Sequence, residues 1–313
     1  MNILKPPSLK KGDLISIVSP ASAPRDSNKV HKGVKYFESL GYRVTISKNV
    51  FDVNGYLAGT DEERAEDLNQ AFADKNVKAI ICSRGGYGTP RILDKINYNV
   101  IKRNPKLLVG YSDITALQLA IFRKTGLVTF SGPMMAVEFG AGVDSYTEEM
   151  FFDMLTRRNK LGSLRRHKDF RYSFKGNKKS QGRLVGGNLS LITSILGTGY
   201  IPDFSGCVLL IEEVSEEPYS IDRMLTQLRL AGILSKVSAL ALGQFTNCVP
   251  EEQNKPYRSL EQIFSEDLFS SGKSVVSNIP YGHVSVKMTL PIGILASVDP
   301  VKRKFSIDEP AVS

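Results

Sequence analysis

Tryptophan is absent from the 313 residues, and cysteine and histidine are scarce, with three of each. The cysteines, Cys82, Cys207 and Cys248, stand too far apart and are too few for a disulfide framework or a zinc site, and they suit a reducing compartment. Cys82 and Cys207 lie inside apolar strand-like runs, where a free cysteine packs as a small core residue. No apolar run approaches the ~20 residues that a membrane-crossing helix needs, so no membrane partner is expected. Residues 1–13, MNILKPPSLKKGD, carry positive charge but no apolar stretch of the secretory kind, and a cytoplasmic setting is expected. The first strand-to-loop turn, Ser19-Pro20-Ala21-Ser22-Ala23-Pro24, contains no glycine. That argues against a dinucleotide or Walker loop, where backbone must approach phosphates closely. No internal repeat or low-complexity segment is present.

The chain has 41 Lys and Arg against 32 Asp and Glu, a net charge of +9. Nucleic-acid binding would need that charge clustered and interleaved with aromatics. The densest run, Arg157-Arg158-Asn159-Lys160 with Arg165-Arg166-His167-Lys168, instead lies in one short, weakly periodic segment that reads as an exposed linker. The excess is a solvated basic surface that mildly favours acidic small substrates, and no nucleic-acid partner is expected.

The length exceeds one ordinary core, and with 42% hydrophobic residues two domains are expected. Apolar runs at 13–19, 43–47 and Val77–Cys82 alternate with helical patterns through residue 131, which predicts an α/β domain with a parallel sheet at 1–150. A linker is placed at 151–181. A second, smaller, β-rich domain is placed at 182–313, with strands at 207–211 and 237–242 around a helix bearing Ile221, Met224, Leu225 and Leu228.

Two strand ends carry the chemistry. Leu107-Leu108-Val109 is a buried strand, and Ile114, Leu117 and Ile121 recur as a helical stripe, so Gly110-Tyr111-Ser112-Asp113 is a strand-to-helix turn. Such a turn exposes a serine hydroxyl beside helix N-terminal amides, although Ile114 replaces the second glycine of the G-x-S-x-G pattern. The plain alternative is a helix N-cap, and Asp113 can cap while Ser112 acts. The preceding strand runs into Ser83-Arg84-Gly85-Gly86-Tyr87-Gly88, whose glycines leave backbone N–H donors uncovered for an anion. Both loops occupy the carboxyl edge of the sheet, where binding crevices form. A serine nucleophile needs a base titrating near neutrality. His31 falls in the first helix and His167 in the basic linker, which leaves His283, after Gly282 in a loop. Glu212, at the end of a buried strand, is a candidate to orient that imidazole, with a salt-bridged carboxylate as its ordinary alternative.

These residues sit in a recognisable series: GDLISIVSPAS, SRGGYG, GYSDIT, GGNLSL, LLIEEVSEEPYSIDRML, NIPYGH and LPIG, in that order across essentially the whole chain. The chain resembles the LD-carboxypeptidases, which include muramoyltetrapeptide carboxypeptidases and microcin C self-immunity peptidases. The resemblance implies a serine peptidase with Ser112, Glu212 and His283 as its triad, no metal or cofactor, and a homodimer. It selects Glu212 over Glu213 because the first acid of the pair is the catalytic one. The implied oxyanion donors are the N–H groups of Asp113 and Gly86. Arg84 is expected to meet the substrate carboxylate and Asn188 to contribute a polar substrate contact. The implied substrate is a murein-derived tetrapeptide losing its terminal D-amino acid. A microcin C-type peptidyl-nucleotide is the alternative, disfavoured by the lack of tryptophan for stacking, and a non-catalytic two-domain small-molecule binder is the alternative of another class. Ser131 stands where the family pattern has histidine before Gly-Pro-Met, and Ser215-Glu216-Glu217-Pro218 leaves the substrate-contacting loop undefined.

Overall fold

The computed structural model describes residues 2–252, 256–270 and 272–313. The first sheet is built from β1 (Leu14–Val18), β2 (Arg43–Ile46), β3 (Val77–Cys82), β4 (Leu107–Gly110) and β5 (Thr129–Ser131), all parallel in the order β2-β1-β3-β4-β5. β3 and β4 are buried at every position but Lys78, which accounts for their unbroken apolar runs: helices cover both faces. Chain order reverses between β1 and β3, so the loops after those strands bound the crevice that such a reversal opens.

Local chemistry fixes the helices. α1 (Ser27–Ser39) starts at Asp26, whose carboxylate accepts the Asn28 N–H. α2 (Asp61–Ala73) starts with a full capping box, in which Thr60 Oγ1 accepts the Glu63 N–H at 3.2 Å and Glu63 Oε2 accepts the Thr60 N–H at 2.8 Å. α3 is Tyr98–Arg103, and α4 is Ile114–Thr125. α4 is buried along almost its whole length because it packs between the first sheet and the second domain.

Residues 151–181 are not linker throughout, although the basic residues Arg157, Arg158, Lys160, Arg165, Arg166 and Lys168 are exposed as expected. Residues 151–156 complete α5 (Ser145–Thr156), which buries Tyr146, Met150, Phe151, Met154 and Leu155, and the Phe151 ring meets Phe139 edge-on at 5.0 Å. Farther along, β6 (Gly162–Ser163) and β7 (Ser173–Lys175) close the two edges of the second sheet. That sheet also contains β8 (Ser180–Asn188), β9 (Val208–Val214), β10 (Ala239–Thr246) and β11 (Ser274–Ser277), then β13 (Leu295–Asp299) and β14 (Lys304–Ile307), in the order β6-β14-β13-β8-β9-β10-β11-β7. Between β11 and β13, β12 (Leu290–Ile292) leaves the second domain and pairs antiparallel with β5 of the first sheet. β12 of the second domain therefore completes the first sheet.

The interface is tight where β8 crosses α4. A methyl on Gly187 would lie 2.5 Å from Thr115 Oγ1, and the Asn188 N–H donates to that hydroxyl at 3.1 Å. Since α4 begins just after Ser112, this contact fixes the ends of β8 and β9 relative to the turn.

Candidate active site

Ser112 has φ +65°, a left-handed conformation that a residue with a side chain adopts only under constraint. The glycine loop packs closely against it: a methyl on Gly85 would lie 3.0 Å from Ser112 Cβ and 3.1 Å from its Oγ, a tight fit. The loop is tied to the turn by Asp113, whose carboxylate accepts the N–H groups of Gly88 at 3.2 Å and Thr89 at 2.8 Å. The Thr89 hydroxyl donates to the Asp113 carbonyl at 2.5 Å. Asp113 therefore does not cap α4 with its side chain, and neither does Ser112. Burial pushes the Asp113 carboxyl up to about 6, with the Thr89 and Gly88 donors pulling the other way. The backbone N–H groups of Asp113 and Gly86 donate to no protein acceptor among the described residues.

The structure brings Ser112, His283 and Glu212 together. Ser112 Oγ lies 2.9 Å from His283 Nε2, and His283 Nδ1 lies 2.8 Å from Glu212 Oε2. An ionised carboxylate only accepts, so Nδ1 carries the proton and Nε2 is left to accept from the hydroxyl. Glu212 is 1% exposed, and its Oε1 has no hydrogen-bond partner among the described residues. Glycines close around it: a methyl on Gly282 would lie 2.5 Å from Glu212 Oε2, and one on Gly243 would lie 3.0 Å from Glu212 Cβ. A serine activated by an oriented imidazole, beside free backbone donors, can perform nucleophilic acyl transfer.

Glu213 points to the opposite face of β9, as strand alternation requires. It accepts from Asn188 Nδ2 at 2.8 Å and from the Ser190 N–H and hydroxyl, each at 2.8 Å, and burial raises its pKa. Asn188 is occupied by that bond and by capping α6 (Leu189–Ser194), where its Oδ1 accepts the Leu191 N–H at 3.2 Å. With 3% exposure, its side chain serves as the cap of α6 and as a donor to Glu213. The cost of burying Glu213 beneath β8 explains the assignment.

Arg84 lines a cleft of about 570 Å³ together with Ser22, Arg25, Tyr56, Gly86 and Tyr87. Its guanidinium donates to the Ala23 carbonyl at 3.3 Å, and it forms no ion pair among the described residues. Burial and the neighbouring Arg25 both lower its pKa, so an anion entering the cleft would relieve it. Ser131 shares a 2.7 Å hydrogen bond with the Tyr281 hydroxyl, and both are buried.

Sequence reasoning missed a buried group behind the imidazole, formed by Tyr111, Glu138 and Lys287. The Tyr111 ring meets the His283 ring edge-on at 5.2 Å, its hydroxyl donates to Glu138 Oε1 at 3.0 Å, and Lys287 pairs with the same carboxylate. The available signal was a lysine inside the apolar run Lys287-Met288-Thr289-Leu290.

A strained strand-to-helix serine with an imidazole and a carboxylate supplied by a second domain defines a serine hydrolase arrangement. Residues 15–132 match the LD-carboxypeptidase N-terminal domain and residues 181–298 match the LD-carboxypeptidase C-terminal domain, and the chain belongs to that family. It is 39% identical to the "Probable murein peptide carboxypeptidase" of Bacillus subtilis (strain 168), over 97% of this chain and 94% of that protein. The fold is similar to that of muramoyltetrapeptide carboxypeptidase from Oxalobacter formigenes, with a TM-score of 0.80, 30% identity, and 95% and 99% of the two chains covered. It is also similar to MccF in complex with glutamyl sulfamoyl guanosine, with a TM-score of 0.89, 29% identity, and 99% and 100% covered.

Proposed function

We propose that this protein is a serine carboxypeptidase that releases the terminal D-amino acid of a murein tetrapeptide. The observation that carries the reading is the continuous bond series Ser112–His283–Glu212, at 2.9 and 2.8 Å, ending on a left-handed serine. His283 Nε2 takes the Ser112 proton as Oγ attacks the amide carbon. Glu212 holds the ring in the required tautomer and stabilises the imidazolium. The N–H groups of Asp113 and Gly86 receive the oxyanion; one such donor is worth about 2.7–4 kcal/mol of barrier. His283 then protonates the leaving amine, and water, deprotonated by the same ring, hydrolyses the acyl-enzyme. Arg84 receives the terminal carboxylate. No step needs a metal ion or cofactor. The murein substrate is favoured by the 39% identity to the Bacillus protein over nearly the whole chain. The same substrate implies a cytoplasmic peptide-recycling role, and the family resemblance implies a homodimer.

The second reading keeps the chemistry and takes a peptidyl-nucleotide substrate. It is favoured by the exposed Tyr56 and Tyr87 rings, 5.5 Å apart at the cleft mouth, which offer a base a stacking surface. Incubation with murein tetrapeptide and, separately, with a microcin C analogue, followed by mass spectrometry, decides between the two. Release of D-alanine supports the first reading and release of the nucleotide part supports the second. Release of neither refutes both and leaves the non-catalytic binder.

A further inference from the structure

Residues 282–289, which carry His283, form neither helix nor strand, yet they hold the imidazole 2.9 Å from Ser112. Backbone bonds fix one side of this loop, from the Met288 N–H to the Pro280 carbonyl at 2.7 Å and from the Val284 N–H to the Gly282 carbonyl at 3.0 Å. The other side is tied to the first domain through side chains. Lys287, 3% exposed, donates to Glu138 of the first domain, itself 8% exposed. The Lys287 ammonium lies 3.9 Å from the centroid of the Tyr111 ring, and Tyr111 both donates to Glu138 and meets His283 edge-on. Tyr111 directly precedes Ser112. Glu138 Oε2 accepts the Met134 N–H at 2.8 Å, and the Lys287 N–H donates to Thr147 Oγ1 at 2.9 Å, so both partners are held from behind.

A buried ion pair is a poor device for stability, because apolar residues of similar volume usually serve as well or better. Its placement here suggests another use. We propose that Glu138 and Lys287 are positioning residues for Ser112 and His283: their buried ion pair clasps the imidazole-bearing loop to the first domain across Tyr111 and sets the hydroxyl–imidazole distance. The proposal rests on the reading of Ser112 as nucleophile. The titratable groups facing His283 and Lys287 are Glu212, Glu138 and Tyr111, with Tyr281 beyond Tyr111.

The test uses a Glu138→Gln/Lys287→Met double variant of the whole chain. Its melting temperature is expected to equal or exceed that of wild type. Modification of Ser112 by a fluorophosphonate probe is expected to slow about 10²-fold, the scale of a misplacement near 1 Å, with kcat falling alike and KM little changed. Labelling at the wild-type rate overturns the clasp. If the double variant does not fold, Lys287→Arg, which keeps the charge and changes the reach, replaces it: slowed labelling supports the clasp and a wild-type rate overturns it. A readout independent of the reaction is the crystal structure of the double variant, in which the Ser112 Oγ–His283 Nε2 distance is expected to lengthen from 2.9 Å; an unchanged distance overturns the clasp. If wild type itself shows no labelling, the nucleophile reading fails, and the measured distance still judges the clasp.

Discussion

One added methyl group, at Gly282, tests the site from its acid end. Gly282 has φ +110°, and a Cβ there would lie 2.5 Å from Glu212 Oε2 and 3.1 Å from its Cδ. To reach ordinary contact the carboxylate must retreat by nearly 1 Å, and glycines at 243 and 282 wall it in, so it takes the imidazole with it. Misplacement on that scale costs about 10²-fold in kcat, or ~2.7 kcal/mol of barrier. Alanine at positive φ also strains the backbone by ~1–3 kcal/mol, which would lower stability by itself. Gly12→Ala separates the two effects: Gly12 has φ +88° and nothing within 4 Å of its added methyl. Both variants are expected to melt lower than wild type, Gly282→Ala by more because its methyl also displaces Glu212. Only Gly282→Ala is expected to lose turnover of the tetrapeptide, measured as initial rates of D-amino acid release per folded molecule. A Gly282→Ala kcat within twofold of Gly12→Ala would refute the reasoning.

Glu212→Gln is expected to lose about 10⁴-fold in kcat through the wrong imidazole tautomer, whereas Glu213→Gln should keep turnover within tenfold and lose stability; steady-state kinetics with calorimetry on both variants separates the neighbouring acids. Arg84→Met should raise KM about 10–100-fold with kcat nearly unchanged, since a charge-assisted bond is worth about 1.5–3 kcal/mol. Asn188→Ala should instead lower stability by ~1–3 kcal/mol, the worth of a cap plus a lost partner for buried Glu213, with KM unaffected. The folded pKa of Asp113, about 6, is raised above its unfolded value, so between pH 4 and 6 the folded state binds the extra proton. The contribution of this group to stability is therefore fullest below about pH 4 and is lost as pH rises through 6. Denaturant unfolding of wild type minus Asp113→Asn should show that decline, and a flat difference would contradict it.

The parts of this site that were legible in the sequence are those governed by local periodicity. Strand alternation separates Glu212 from Glu213, and an apolar run followed by a helical stripe puts Ser112 on a turn. Local spacing could not show which groups a buried polar atom would seek. Asp113 was expected to cap α4, but two loop amides, 25 and 24 residues away, offered it a better-shielded partner set. Asn188 was drawn inward by Glu213, a buried charge that needs donors. The Glu138–Lys287 pair spans 149 residues, and only tertiary structure brings it together. The helical face Tyr146, Met150, Phe151, Met154 and Leu155 was legible at i, i+4 and i+8 spacing but was overshadowed by the basic run after it. β12 is three residues long, too short to declare that it crosses to the other sheet.

The account stands on Ser112 being an activated nucleophile, and covalent labelling tests that directly. Native protein treated with a fluorophosphonate probe and digested for mass spectrometry is predicted to carry one adduct, on the peptide containing Ser112. The adduct should be absent after denaturation and in Ser112→Ala, and strongly reduced in His283→Ala. No adduct on the native protein, or an adduct on another serine with Ser112 unmodified, would contradict it.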